Sequence, residues 1–98
     1  MSIPRKVKIA GIDVQVQFAD MEGKWGDFEQ DKRLIRLCKT LKEKPQMAKI
    51  TLLHEMAHAS LRLTGVNECM EGDVEEAVVR NFEQILFPAI EKLLIDSS

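Results

Sequence analysis

The chain has 98 residues, 45% of them hydrophobic and 31% charged, the make-up of one folded domain and not of a disordered tail. Lysine and arginine number 14 against 16 aspartates and glutamates, a formal net charge of −2, which argues against a nucleic-acid groove or an anionic membrane surface as the working partner. No apolar run approaches the roughly 18–20 residues of a membrane-spanning helix, and the start, MSIPRKVKIAGIDV, lacks the apolar stretch of an export signal. With only two isolated cysteines, Cys38 and Cys69, the expectation is a cytoplasmic protein with reduced thiols.

The first forty residues read as strands. In KVKIAGIDVQVQF the apolar residues Val7, Ile9, Ile12, Val14, Val16 and Phe18 alternate with polar ones around Ala10-Gly11, which predicts strands at about 5–9 and 12–18 joined by a tight turn. A turn-rich segment from Glu22 to Asp27 leads to Phe28 and a second run, Leu34, Ile35 and Leu37. Together these predict a small antiparallel sheet of three or four strands. Trp25 and Phe28 either close the end of that sheet or line an edge able to receive an extended peptide. The lysines and arginines between 32 and 44 are interrupted by Glu43 and read as a solvated face.

From Pro45 the period changes. Proline suits a first helical turn, residues 46–64 contain no Gly or Pro, and Gly65 follows as a stop. The predicted helix is apolar almost all round, except for a stripe at Thr51, His54, Glu55, His58 and Arg62, spaced by threes and fours. Such a helix belongs in the core with one polar seam facing a cleft. A second helix begins near Asp73, with Val74, Ala77, Val78, Phe82, Ile85 and Leu86 at helical spacing. Pro88 bends or ends it. Ile90, Leu93, Leu94 and Ile95 then either complete the core or form a docking helix for a second copy or a partner protein. The fold class is α+β.

The polar seam carries His54-Glu55-Met56-Ala57-His58, an H-E-x-x-H pattern using both histidines of the chain. Residues four apart share a helix face, so both imidazoles can reach one ion. Zinc accepts such nitrogens at about 2.0–2.1 Å in a tetrahedral shell. Glu55 is rotated by about 100° from His54, where it flanks an ion and can take a proton from water. Three adjacent ionisable groups on a core helix would be costly to bury without a metal.

A hydrolytic zinc site needs a third protein donor and an open position. No histidine remains, so a carboxylate after the helix is the expected donor, from among Glu68, Glu71, Asp73, Glu75 and Glu76. Glu75 lies on the edge defined by Val78, Phe82 and Ile85 and is the first choice. Glu76 aligns with Arg80 and Glu83, a solvent-facing stripe, and is the second; Glu71 is the third. Cys69 as a donor would give a closed structural site instead, although packing roles suit both cysteines better.

The block TLLHEMAHA at 51–59 followed by EEAVV at 75–79 resembles the zinc metallopeptidases with a glutamate third ligand, the gluzincins. More narrowly it looks like the small phage and bacterial metallopeptidase-like proteins near the ImmA/IrrE group. The resemblance is specific over about 30 residues. It implies a minimal zincin-like core, with His54, His58 and Glu75 as zinc ligands, Glu55 as general base and a peptide or protein as substrate. The family block that follows the third ligand is out of register here, since Glu76-Ala77 precedes Val78, which leaves Glu75 and Glu76 both open. The chain has no Tyr and no third His to stabilise an oxyanion, which leaves Arg62, Arg80, backbone N–H groups, a donor from another protein, or none. The rival expectation is a non-catalytic regulatory or interaction module with a structural or vestigial zinc site.

Overall fold

A computed structural model describes residues 3–96. It is α+β: strands β1 (Lys6–Ile9), β2 (Ile12–Ala19), β3 (Gly26–Glu29) and β4 (Leu34–Cys38) precede helices α1 (Pro45–Leu63), α2 (Gly72–Asn81) and α3 (Phe87–Asp96). Short 3-10 turns at Lys39–Glu43 and Val66–Cys69 flank α1. No described helix is long and apolar enough to cross a membrane.

β1 and β2 form the expected hairpin, with Ile9 opposite Ile12. Its two-residue turn has Ala10 at φ 53° and Gly11 at φ 76°, the pair of positive values that a twisted two-residue hairpin turn demands. The sheet order is β1-β2-β4-β3, and here the structure departs from an all-antiparallel arrangement. β2 and β4 run parallel, with Val16 opposite Ile35 and Phe18 opposite Leu37. Residues 20–25 carry the chain across about two strand spacings, roughly 9.5 Å, which leaves a slot beside β2. β3 runs back on the far side of that slot, and β4 returns into it, antiparallel to β3. Alternation reports which face a residue takes and says nothing of strand direction.

One face of the sheet is buried. Ile9, Val14, Val16, Phe28, Ile35 and Leu37 pack with Leu41 and with Ala48, Leu52 and Ala59 of α1. Phe28 is thus a core residue, whereas Trp25 stays 47% exposed with Lys44 above its ring. On the opposite face Arg36 pairs across the strands with Asp27, Nε to Oδ1 at 3.0 Å. The Arg36 guanidinium holds the Asp27 carboxyl below its ordinary range.

The other side of α1 meets the C-terminal helices through a smaller cluster of Ala57, Leu61 and Val79 with Met70, Val78, Phe82 and Phe87. α2 starts one residue before the expected Asp73, whose Oδ1 instead accepts from the Val74 N–H. Pro88 does not end the helix. A π-helical turn, Phe82–Leu86, joins α2 to α3, closed by the Phe87 N–H donating to the Phe82 carbonyl. Pro88 has no N–H to give and its ring crowds the carbonyl four residues back, so a wider turn at this point lets the helix continue. Leu93, Leu94 and Ile95 remain exposed.

α1 is held close to the sheet by a glycine. A Cβ at Gly26 would meet Thr51 Cγ2 at 2.9 Å and the Arg36 carbonyl oxygen at 3.0 Å, with Glu55 Cγ at 3.4 Å. Gly26→Ala should therefore push β3 and α1 apart and lower stability by about 1–3 kcal/mol in chemical denaturation. Gly72 has nothing within 4 Å of such an atom, so Gly72→Ala should be neutral or slightly stabilising. Equal behaviour of the two variants would contradict this account of the contact.

Candidate metal centre

The polar seam of α1 lies where β3, α1 and α2 converge. Its two histidines stand one helical turn apart, with ring centroids 5.0 Å from each other. His58 is buried, at 7% exposure, while the His54 side chain keeps 24% of its surface. The third group within reach is Glu76: one donor atom from each of His54, His58 and Glu76 lies within 4.8 Å of the other two. Tetrahedral donors at about 2.0–2.1 Å from an ion would sit roughly 3.4 Å apart, so a modest closing of the three would embrace one. Two imidazole nitrogens and a carboxylate oxygen suit a borderline divalent ion such as zinc.

Glu75 sits elsewhere than in the ligand position expected from the sequence. It does face inward, at 7% exposure, but it lies behind His58, its Oε2 2.5 Å from Nδ1. Glu76 meets the same ring from the other side, its Oε1 2.8 Å from Nε2. Consecutive helical residues point about 100° apart, which lets neighbouring carboxylates reach opposite nitrogens of one imidazole. The stripe of Glu76, Arg80 and Glu83 that reads as solvent-facing is thus turned in part towards α1. Glu83 Oε2 stands 3.5 Å from His54 Nδ1, and on another face of α1 Lys49 Nζ meets Glu91 Oε2 at 2.6 Å.

The sequence does not mark Glu83 as a neighbour of His54, because its spacing from Glu76 does not say which helix it opposes. The available signal was numerical. Glu76 and Glu83 are seven residues apart, two turns along one face, and an antiparallel partner helix presents His58 and His54 to them in that order. The remaining candidates lie outside the group. Cys69 is exposed and Cys38 is buried against the sheet, with its Sγ 3.3 Å from Thr40 Oγ1. Glu68, Glu71 and Asp73 are exposed. Arg62, a candidate oxyanion donor, is engaged by Glu75 through Nε and Nη2, both 3.2 Å from Oε2.

Glu55 is 8% exposed and lies over Gly26 of β3. Burial pushes its carboxyl from the ordinary 4.5 up to about 7, against the pull of nearby His54. A carboxylate poised near neutrality can both accept and return a proton at physiological pH. Glu55, Glu75, Glu76 and Glu83 surround the two histidines, a concentration of acceptors that a divalent cation would relieve.

In the metal-free protein, burial of Glu55 favours its protonated form, so the folded state binds that proton more tightly than the unfolded state. Its contribution to stability is then most favourable below about pH 4.5 and is lost as pH rises to about 7. Denaturation of metal-free wild type and Glu55→Gln at several pH values should show the variant gaining on the wild type across that interval. A constant difference between the two would remove the buried-carboxylate account.

Comparison with protein-family models, with curated proteins and with solved structures gave no match.

Proposed function

We propose that the protein is a zinc-dependent metallopeptidase-like hydrolase in which His54, His58 and Glu76 hold the ion and Glu55 is the general base. The observation that carries this reading is the convergence of the three donors beside a carboxylate whose proton affinity burial has raised towards neutrality. When bound, zinc supplies a Lewis acid that makes water a better nucleophile at neutral pH and polarises a carbonyl.

The chain's own residues supply the rest. Glu55 accepts the proton of the attacking water and returns it to the leaving amine. The edge strand β3 passes beside Glu55 through Gly26, and its outer main-chain edge suits an extended peptide added as a further strand. Glu76 keeps 46% of its side-chain surface exposed, so the centre is open on that side to solvent and substrate.

The alternative, a regulatory module with structural zinc, calls for a closed shell of four protein donors. Among the described residues the group offers three, and the thiol considered as a fourth, Cys69, is exposed and outside it. This favours the open, hydrolytic arrangement.

Metal analysis of protein purified with zinc supplied should find one ion per chain in the wild type and in Glu55→Gln, and none in His58→Ala or Glu76→Ala. Glu55→Gln should cleave a peptide library about 10²–10⁴-fold more slowly than wild type. Wild-type turnover in Glu55→Gln would overturn the assigned base, and a folded wild type that takes up no zinc would overturn the metal centre.

A further inference from the structure

Among the described residues the buried charged or polar side chains are Glu55, His58 and Glu75, and the proposed chemistry uses only the first two. A carboxylate in the interior must have its oxygens partnered. Glu75 meets this through one oxygen: Oε2 faces His58 Nδ1 at 2.5 Å and receives Arg62 Nε at 3.2 Å, with Nη2 equally close. His58 and Arg62 are four residues apart and share a face of α1. Glu75, in the first turns of α2, drops between them. The Arg62 side chain keeps 38% of its surface exposed, so it links the buried carboxylate to solvent.

We propose that Glu75, oriented by Arg62, is a positioning residue that fixes His58 as its Nδ1–H tautomer and thereby presents Nε2 to the metal. The inference rests on the metal-centre reading above. An imidazole offers a metal one lone pair, and the hydrogen bond made by its other nitrogen decides which one. Here the two nitrogens are already divided, Nδ1 to Glu75 and Nε2 to the exposed Glu76. The adjacent glutamates therefore hold different offices: Glu76 is displaceable towards an ion at the open side, whereas Glu75 is locked behind the ring by Arg62. The Glu-Glu pair at 75–76 is a matched front and back to one histidine.

The test compares wild type, Glu75→Gln, Glu76→Gln and Arg62→Met by zinc titration against a competing chelator, and by nitrogen-resolved NMR of the histidine rings in the zinc-loaded protein. Glu75→Gln should still bind one zinc, with affinity lowered about 10–100-fold, and Arg62→Met should move in the same direction. The wild type should show a slowly exchanging proton on His58 Nδ1, which Glu75→Gln shifts while the His54 signals stay in place. Glu76→Gln should lower affinity further than Glu75→Gln. Wild-type affinity and an unchanged His58 signal in both Glu75→Gln and Arg62→Met would overturn the proposal. So would loss of zinc in Glu75→Gln together with its retention in Glu76→Gln, which would make Glu75 the ligand. Failure of the wild type to bind zinc at all would instead remove the metal centre on which the proposal stands. Arg62 is partly exposed, so its variant keeps the test decisive where a change at buried Glu75 prevents folding.

Discussion

A histidine buried on the inner face of a helix must find partners for both ring nitrogens, and the packing of the last third of this chain follows from how His58 does so. The apolar contact between α1 and the C-terminal helices is small, centred on Ala57, Leu61 and Val79. Beside it runs a charged seam: His58 between Glu75 and Glu76, and His54 near Glu83. Apolar burial turns the Val78, Val79 and Phe82 face of α2 towards α1 and so sets its rotation coarsely. The seam refines that rotation, because neighbouring glutamates must fall on either side of the same imidazole.

The other wall of the site depends on a glycine and on the direction of the chain. β3 comes within van der Waals reach of Thr51 and Glu55 because Gly26 presents no side chain there. β3 is at the edge because β4 fills the slot between it and β2. An all-antiparallel meander would have placed β4 at the edge, with Arg36 there in place of Gly26. The parallel β2–β4 pair and the exposure of a strand edge beside Glu55 are thus one topological fact. Close packing over the edge strand also desolvates Glu55, which is the main reason its carboxyl is raised towards neutrality.

Much of this was legible residue by residue. The period-2 run through Val14 and Val16 and the unbroken helical stretch ending before Gly65 place β2 and α1 almost to the residue. The stripe of Thr51, His54, Glu55, His58 and Arg62 is the seam that meets β3 and α2. The inward placement of Glu75 was also readable, since its neighbours Val78 and Phe82 pack against α1. Direction of the sheet strands was not, because alternation is the same for either direction. Nor was the passage of the helix through Pro88, which depends on one wide turn whose Phe87–Phe82 bond no local propensity announces.

The sequence by itself determined which residues can do chemistry: two histidines at helical spacing with a glutamate between them, on the one polar stripe of an otherwise apolar helix. Covalent spacing and the 3.6-residue period are enough for that, since both act within a single element. Only the tertiary structure decided which glutamate stands in front of His58 and which behind. That choice depends on the rotation of α2 about its own axis, and rotation is set by contacts between elements. Periodicity correctly turned Glu75 inward; it could not say that inward meant the back of an imidazole, with Glu76 left at its open face.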